Sequence, residues 1–214
     1  SSYLGMILSI LLQPFINGII IKSENMSKYI MRNNYEIIPN GVDMLMFQPI
    51  EYNQALRRLK ISNNKINVLF LGNPNDPRKN FKLLKDAIGI LSIKHKINLL
   101  VPYPVEHNKV PLYLNAADVF VHTSYAEGSP NVIKEAMACN IPIVCTDVGD
   151  ASEVISNVEG CEICSYDADD IAKKIMLSIK FGRNTMGRDK IFELGLDSTT
   201  IAKKIIKQYN SLIG

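Results

Sequence analysis

The chain has 214 residues, 47% of them hydrophobic and 21% charged, with a formal charge of +3 at neutral pH. This composition excludes a disordered chain, and so small a charge makes no electrostatic case for nucleic acid. The length suits one large domain or one and a half small ones.

Residues 1–21, SSYLGMILSILLQPFINGIII, carry no charge. Ser9, Gln13, Pro14 and Asn17-Gly18 break this run into a helix of about 12 residues and a short strand, too interrupted for a membrane span. It has neither the basic n-region nor the small-residue cleavage site of a signal peptide. A chain that opens in this way on Ser-Ser reads as a piece of a longer protein. The segment GIIIKSENMSKYIMRNN predicts a strand, then Ser23 as N-cap of a short helix. A further strand, YEIIPNGVD, ends at Pro39 and the turn pair Asn40-Gly41. Residues 44–64 read as a connector with one helix around Gln54–Leu59.

From Lys65 the pattern becomes regular. INVLFLG is an apolar strand stopped by Gly72, and NPNDPRKN is a loop. FKLLKDAIGILSIKH carries Phe81, Leu83, Leu84, Ala87, Ile88 and Leu91 on one helical face. Strand INLLVPY, short helix VPLYLNAA and strand DVFVHTS follow. Then come helix NVIKEAMAC, strand IPIVCTD, the weaker strand CEICS, helix ADDIAKKIMLSIK and two last helical segments. Strands apolar throughout are covered on both faces, and their alternation with helices implies right-handed βαβ units. The expected fold class is α/β, a doubly wound parallel, Rossmann-like sheet with ligands beyond the carboxyl ends of its strands. The Gly72 loop, Pro102-Tyr103 and Ser124 to Asn131 all fall there.

The cysteines are Cys139, Cys145, Cys161 and Cys164. CEIC has the C-x-x-C spacing, but His95, His107 and His122 complete no zinc pattern, and the segment reads as a strand, unlike a redox motif. Free thiols suit a reducing cytoplasm.

The stretch AEGSPNVIKEAMACNIPIVCTD sets Glu127 and Glu135 eight residues apart across a helix start. Gly128 and Ser129 allow close backbone approach, and Pro130 suits a first helical turn. A helix N-terminus offers free N–H groups and partial positive charge, a site for phosphate. Carboxylates on both sides of it can grip sugar hydroxyls flanking a diphosphate. Taken singly, Glu127 reads as a residue that satisfies the helix dipole and Glu135 as a surface acid.

The whole stretch resembles the E-x7-E signature of retaining nucleotide-sugar glycosyltransferases of family four (group 1), which have the GT-B fold. IIPNGVD with Phe47 and Pro49, and VLFLGNPNDPRKNFKLLKDAI, are similar to other parts of the same family. The resemblance implies the C-terminal, donor-binding half of a GT-B enzyme, inactive alone because the acceptor domain is absent. It divides the chain into a remnant of the N-terminal domain and crossover strand (1–45), a Rossmann-like nucleotide-sugar-binding domain (46–196), and a C-terminal helix (197–214) that packs back on the missing domain. Residues 1–16 and that helix, roughly Ser198 to Leu212, are expected to pack together or to self-associate where the apolar surface lacks its partner. By position, Glu127 would contact the transferred sugar, Glu135 the ribose hydroxyls and Lys79 the diphosphate. Backbone groups of Gly128, Ser129, Pro130, Asn131 and Val132 would hold sugar and phosphates. Asn73 stands where the family usually has Arg, with Arg78 supplying the charge from across the loop, and Asn80 replaces a usual Gly. The implied reaction is hexosyl transfer with retention, from a nucleoside-diphosphate sugar to a glycan or lipid-linked acceptor held by the missing domain, in cell-surface polysaccharide synthesis. It needs no metal or cofactor. The implied location is cytoplasmic, at the inner membrane face with peripheral contact. Rival readings are a sugar-nucleotide epimerase of the same fold and a non-catalytic nucleotide-sugar-binding module.

Overall fold

Short apolar runs alternating with amphipathic helices build the expected parallel sheet. In the computed structural model, which describes residues 7–8 and 10–213, a small parallel ladder comes first. It pairs β1 (Ile20–Ile21) with β2 (Glu36–Ile37). After α1 (Tyr52–Leu59) the main series runs β3 (Ile66–Leu69), α2 (Phe81–Ser92), β4 (Ile97–Leu100), α3 (Val110–Ala116), β5 (Val119–His122), α4 (Asn131–Ala138), β6 (Ile143–Thr146), α5 (Ala151–Ile155), β7 (Cys161–Cys164) and α6 (Ala168–Phe181). Helices α7 (Gly187–Glu193) and α8 (Ser198–Ile213) follow. The five main strands lie in the order β4-β3-β5-β6-β7, all parallel. The chain leaves β3 toward β4 and returns on its other side at β5, so the strand order reverses between β3 and β5. Ligands bind at such a switch point.

Period-two alternation sorts the strand side chains onto two faces. Val68, Phe70, Val119, Val121, Val144 and Cys164 pack with Leu84 and Ala87 of α2 and Ile171 and Ile175 of α6. Leu69, Leu71, Phe120, Ile143 and Cys145 face the other way, onto α3, α4, α5 and α7. Ile38, Val42 and Met44, assigned from sequence to a remnant, and Ile201 of α8 belong to this same core. The Val42 amide donates to Leu196 O and the Ser198 amide to Val42 O, each at 3.0 Å, fastening the chain before the domain to the chain after it.

Local chemistry sets the element ends. The Glu51 carboxylate caps α1 by accepting from the Asn53 and Gln54 amides, and the Asp167 carboxylate caps α6 through the Asp170 amide. Asn80, expected in place of a Gly, has φ +48°, a left-handed conformation that Asn tolerates better than most residues.

Some expectations are corrected. Ser23 precedes a 3-10 turn, Glu24–Tyr29, and its side chain caps nothing. Helix α5 was not foreseen, because five residues are too few to display a helical period. Helix α2 stops at Ser92, and Ile93 beyond it is 80% exposed. The predicted N-terminal helix falls partly outside the described residues; residues 7–8 and 10–12 are helical and run into a 3-10 turn at Gln13–Phe15. Among the described residues, no helix is long and apolar enough to cross a membrane.

Cys161 and Cys164, three apart on a strand, point to opposite faces: Cys161 packs against the α4 side and Cys164 lies within the α2 side. Burial pushes both thiols up to about 12, well away from the thiolate a metal needs. CEIC is therefore expected to hold no zinc, and elemental analysis should show none in stoichiometric amount. Bound zinc that is lost on Cys161→Ser would overturn this.

Candidate functional site

The loops after β3 and β5 meet at the switch point. Gly72, at φ +146°, ends the β3 strand run, and the Lys79 stem lies 3.5 Å from where a Cβ would sit on it. The Asp76 carboxylate caps the turn Pro77–Lys79 through the Arg78 amide. The Thr123 hydroxyl, just past β5, donates to Lys79 O at 3.0 Å and Asn80 O at 3.1 Å. These bonds aim the Lys79 ammonium across the mouth of the sheet, where it donates to Glu127 Oε1 at 2.6 Å.

No side chain caps α4, so its first amides are left for a ligand. A cleft of about 410 Å³ opens over them, lined by Lys22, Asn40, Lys79, Glu127 and the run Gly128 to Val132. A wider cleft of about 570 Å³ adjoins it, lined by Arg78, Tyr125, Asp147 and the 3-10 segment around Met26 and Tyr29. Glu127 lines both.

The loop under α4 is tied from below. Ser129 Oγ donates to Asp150 Oδ2 at 2.8 Å and accepts from the Lys134 ammonium and, at 3.1 Å, from the Asn40 amide. Lys134 Nζ also reaches Asp150 Oδ2 at 2.7 Å, and both residues are almost wholly buried. Burial lowers the Lys134 pKa despite the opposing Asp150 charge. Gly149, at φ +62°, brings its backbone so close to Gly128 that a Cβ would stand 2.6 Å from Gly128 O.

Glu135, one turn into α4, is buried, so the surface-acid reading fails. Burial raises its pKa, while His107 Nε2 at 3.0 Å from Oε1 opposes the shift. His107 in turn leans on Phe47, ring centroids 5.3 Å apart. For Glu127, burial pushes the carboxyl up, but the Lys79 ammonium outweighs it and the net shift is downward. Burial drives His122, at the end of β5, down to about 4.

The structure thus brings Lys79, Glu127 and Gly128 to Val132 together around one cleft, with Glu135 a turn deeper in α4. The Ser129 hydroxyl is committed inward, and Ser129 lines the cleft beside Gly128 and Pro130. Arg78 sits at the outer edge of the site. It forms a two-bond pair with Asp76, at 2.7 and 3.1 Å, and lines the outer cleft only. Asn73 lines neither cleft, and its Oδ1 accepts from the Asn75 amide to shape the loop. Sequence reasoning missed Lys22, His107, His122, Lys134 and Asp150. Asp150, just beyond the Val-Gly pair that follows β6, and His122, at the end of β5, stood near strand mouths.

A doubly wound α/β domain with an open helix N-terminus, an ammonium and a carboxylate at its switch point is a ligand-binding type of domain whose site suits an anion. The chain belongs to the family Glycosyl transferases group 1, whose pattern matches residues 50–186. The glycosyltransferase TuaC of Bacillus subtilis, named for teichuronic acid biosynthesis, is 40% identical over 76 residues, 36% of this chain and 20% of that protein. An N,N'-diacetylbacillosaminyl-diphospho-undecaprenol alpha-1,3-N-acetylgalactosaminyltransferase of Campylobacter jejuni is 34% identical over 104 residues, 47% of this chain and 28% of that one. The matched stretches are thus a minor part of these curated relatives. Sucrose-phosphate synthase of Thermosynechococcus elongatus superposes with a TM-score of 0.77 at 21% identity, over 92% of this chain and 58% of its own. HepE of Anabaena, solved with UDP and glucose, superposes with a TM-score of 0.78 at 18% identity, over 99% and 68% respectively. The fold is that of one half of these GT-B enzymes.

Two predictions follow from the buried charges. Lys134→Met leaves Asp150 buried without its cation and should destabilise by about 3–5 kcal/mol in urea unfolding. Adding Asp150→Asn should recover much of the loss, and an undiminished loss in the double variant counts against the pairing. The second concerns pH. The unfolded chain takes up the His122 proton below about 6.5, the folded chain only below about 4. Stability should therefore fall as pH drops through that window, by about 3 kcal/mol in all. Glu135, with its raised pKa, works in the opposite sense, so the measure is the difference between the parent and His122→Phe. That difference should be constant above pH 7 and shift in favour of His122→Phe toward pH 4.

Proposed function

We propose that this chain is the donor-binding part of a retaining glycosyltransferase that moves a sugar from a nucleoside-diphosphate sugar to a glycan or lipid-linked acceptor. The observation that carries the reading is the convergence of Lys79, Glu127 and the uncapped α4 start on one cleft. The diphosphate lies against the α4 amides and the Lys79 ammonium, which stabilise the charge that leaves with the nucleoside diphosphate. Glu127 takes hydroxyls of the transferred sugar, and Glu135 those of the ribose. Resident metal is not required, since the leaving charge meets an ammonium and a helix N-terminus. The leaving phosphate itself takes the acceptor proton. The relatives named for teichuronic acid and for an undecaprenol-linked sugar support an acceptor in cell-surface polysaccharide synthesis, reached at the inner face of the membrane.

The test is titration calorimetry with uridine, guanosine and adenosine diphosphates and the matching nucleotide-sugars. Losing one charged hydrogen-bond contact costs about 1.5–3 kcal/mol, so each affected affinity should fall about ten-fold or more. Glu135→Ala should weaken every ribose-bearing ligand. Glu127→Ala should spare the free diphosphate and weaken only the sugar-bearing donor. Lys79→Ala should weaken diphosphates more than monophosphates. Parent-like binding by both carboxylate variants would leave Glu127 and Glu135 as structural residues and defeat the reading.

A further inference from the structure

His122 and Ser124 are two residues apart along one extended run, so their side chains share a face, the one toward α4. Thr123 between them turns the other way, to the Lys79 and Asn80 carbonyls. His122 Nε2 and Ser124 Oγ are both buried, and neither has a hydrogen-bond partner. Two orphaned polar atoms on neighbouring same-face positions are unusual, because buried polar groups are nearly always paired.

Both lie beside the Glu127 carboxylate. His122 Nε2 is 3.6 Å from Glu127 Oε1, just beyond hydrogen-bond reach. The Ser124 hydroxyl is among the groups holding the Glu127 carboxyl below its ordinary range, without closing a hydrogen bond. What keeps Glu127 from them is Lys79, at 2.6 Å on the same Oε1. Under the donor-binding reading, Lys79 is the group a diphosphate claims.

We propose that His122 and Ser124 form a second seat for the Glu127 carboxylate, taken when a diphosphate draws Lys79 away. His122 is then a positioning residue acting through Glu127. The exchange leaves no charge stranded. Phosphate oxygens replace the carboxylate at Lys79, while the imidazole and hydroxyl replace the ammonium at Glu127. A shift of under about 1 Å brings Oε1 within reach of Nε2, since hydrogen bonds of this kind close at about 2.9 Å. The second carboxylate oxygen stays toward the cleft, set to accept from a sugar hydroxyl. The imidazole serves as a donor from Nε2.

This inference rests on the proposed role of Lys79, and its test separates the two. With histidine labelled in 15N, two-dimensional nitrogen–proton spectra report the tautomer and the Nε2–H proton of His122. Lys79→Ala empties the first seat without any ligand. An exchange-protected Nε2–H resonance should appear in Lys79→Ala and vanish in Lys79→Ala/Glu127→Ala. Saturating the parent with uridine diphosphate should produce the same resonance. A His122 signal identical in parent and Lys79→Ala overturns the second seat, as does a parent that binds the diphosphate with no change at Nε2. If no nucleoside diphosphate binds, the donor-binding reading falls and the Lys79→Ala spectrum alone decides the seat. Affinity gives a second readout. His122→Phe should weaken the sugar-bearing donor about ten-fold relative to the free diphosphate, and His122→Asn, which keeps a donor, should restore part of it. Equal losses for both ligands overturn the positioning role.

Discussion

Helix α4 must begin without a cap of its own if its amides are to serve a ligand, and this constraint organises the surrounding structure. Where α1 and α6 spend a carboxylate on their first amides, α4 spends none. It is held by the buried Lys134–Asp150 pair beneath it, with the Ser129 hydroxyl bonded to both partners. Desolvating two charges is unfavourable unless they meet in good geometry with further hydrogen bonds, and Ser129 supplies those. The pair joins α4 to the residue after β6 that precedes α5, Ser129 ties in the loop after β5, and the Gly128–Gly149 approach closes that junction. The open helix end is thus fixed from the core side, leaving its solvent side clear.

The same economy governs the cleft's charges. Each carboxylate that the family resemblance ties to a sugar or a ribose has a partner within the protein, Lys79 for Glu127 at the cleft and His107 for Glu135 a turn deeper. In a half-buried setting such pairs are stronger than their surface counterparts, because the effective dielectric is lower. Arg78, tied to Asp76 at the exposed edge, stands outside this arrangement. Binding at this site is accordingly an exchange of partners, so affinity depends on differences between contacts made and contacts given up.

Much of the scaffold was legible because its signals are local. β3, β5 and β6 are apolar runs bounded by Gly or polar residues, and α2 and α6 show a clean helical period. The cleft was legible through Gly128, Pro130 and the spacing of Glu127 and Glu135. What stayed hidden depends on distant or atypical pairing. Lys134 reads as a solvated helix charge until Asp150, sixteen residues later, is placed beneath it. His122 reads as one more residue of a buried strand, since nothing local says that its Nε2 is left unpaired. The inward bonds of the Ser129 hydroxyl were hidden too, because Asp150 lies twenty-one residues on. The Arg78 pairing, by contrast, was in view: Asp76 stands two residues earlier, where its side chain can hold the guanidinium at close range.

The fastening of Val42 between Leu196 and Ser198 gives the molecule a mechanical property. Chain entering the domain and chain leaving it are clamped at one point, with Gly41 packed against Ser198 and Ile201. Entry and exit therefore share one hydrogen-bonded joint. The neighbouring residue, Asn40, grips Ser129 through both its amide and its side chain, at 3.1 Å each. With Asn25 donating to Gly149 O from the same leading segment, the backbone that starts α4 is built partly on chain that precedes the sheet, so the floor of the cleft and the entry to the domain form one hydrogen-bonded unit.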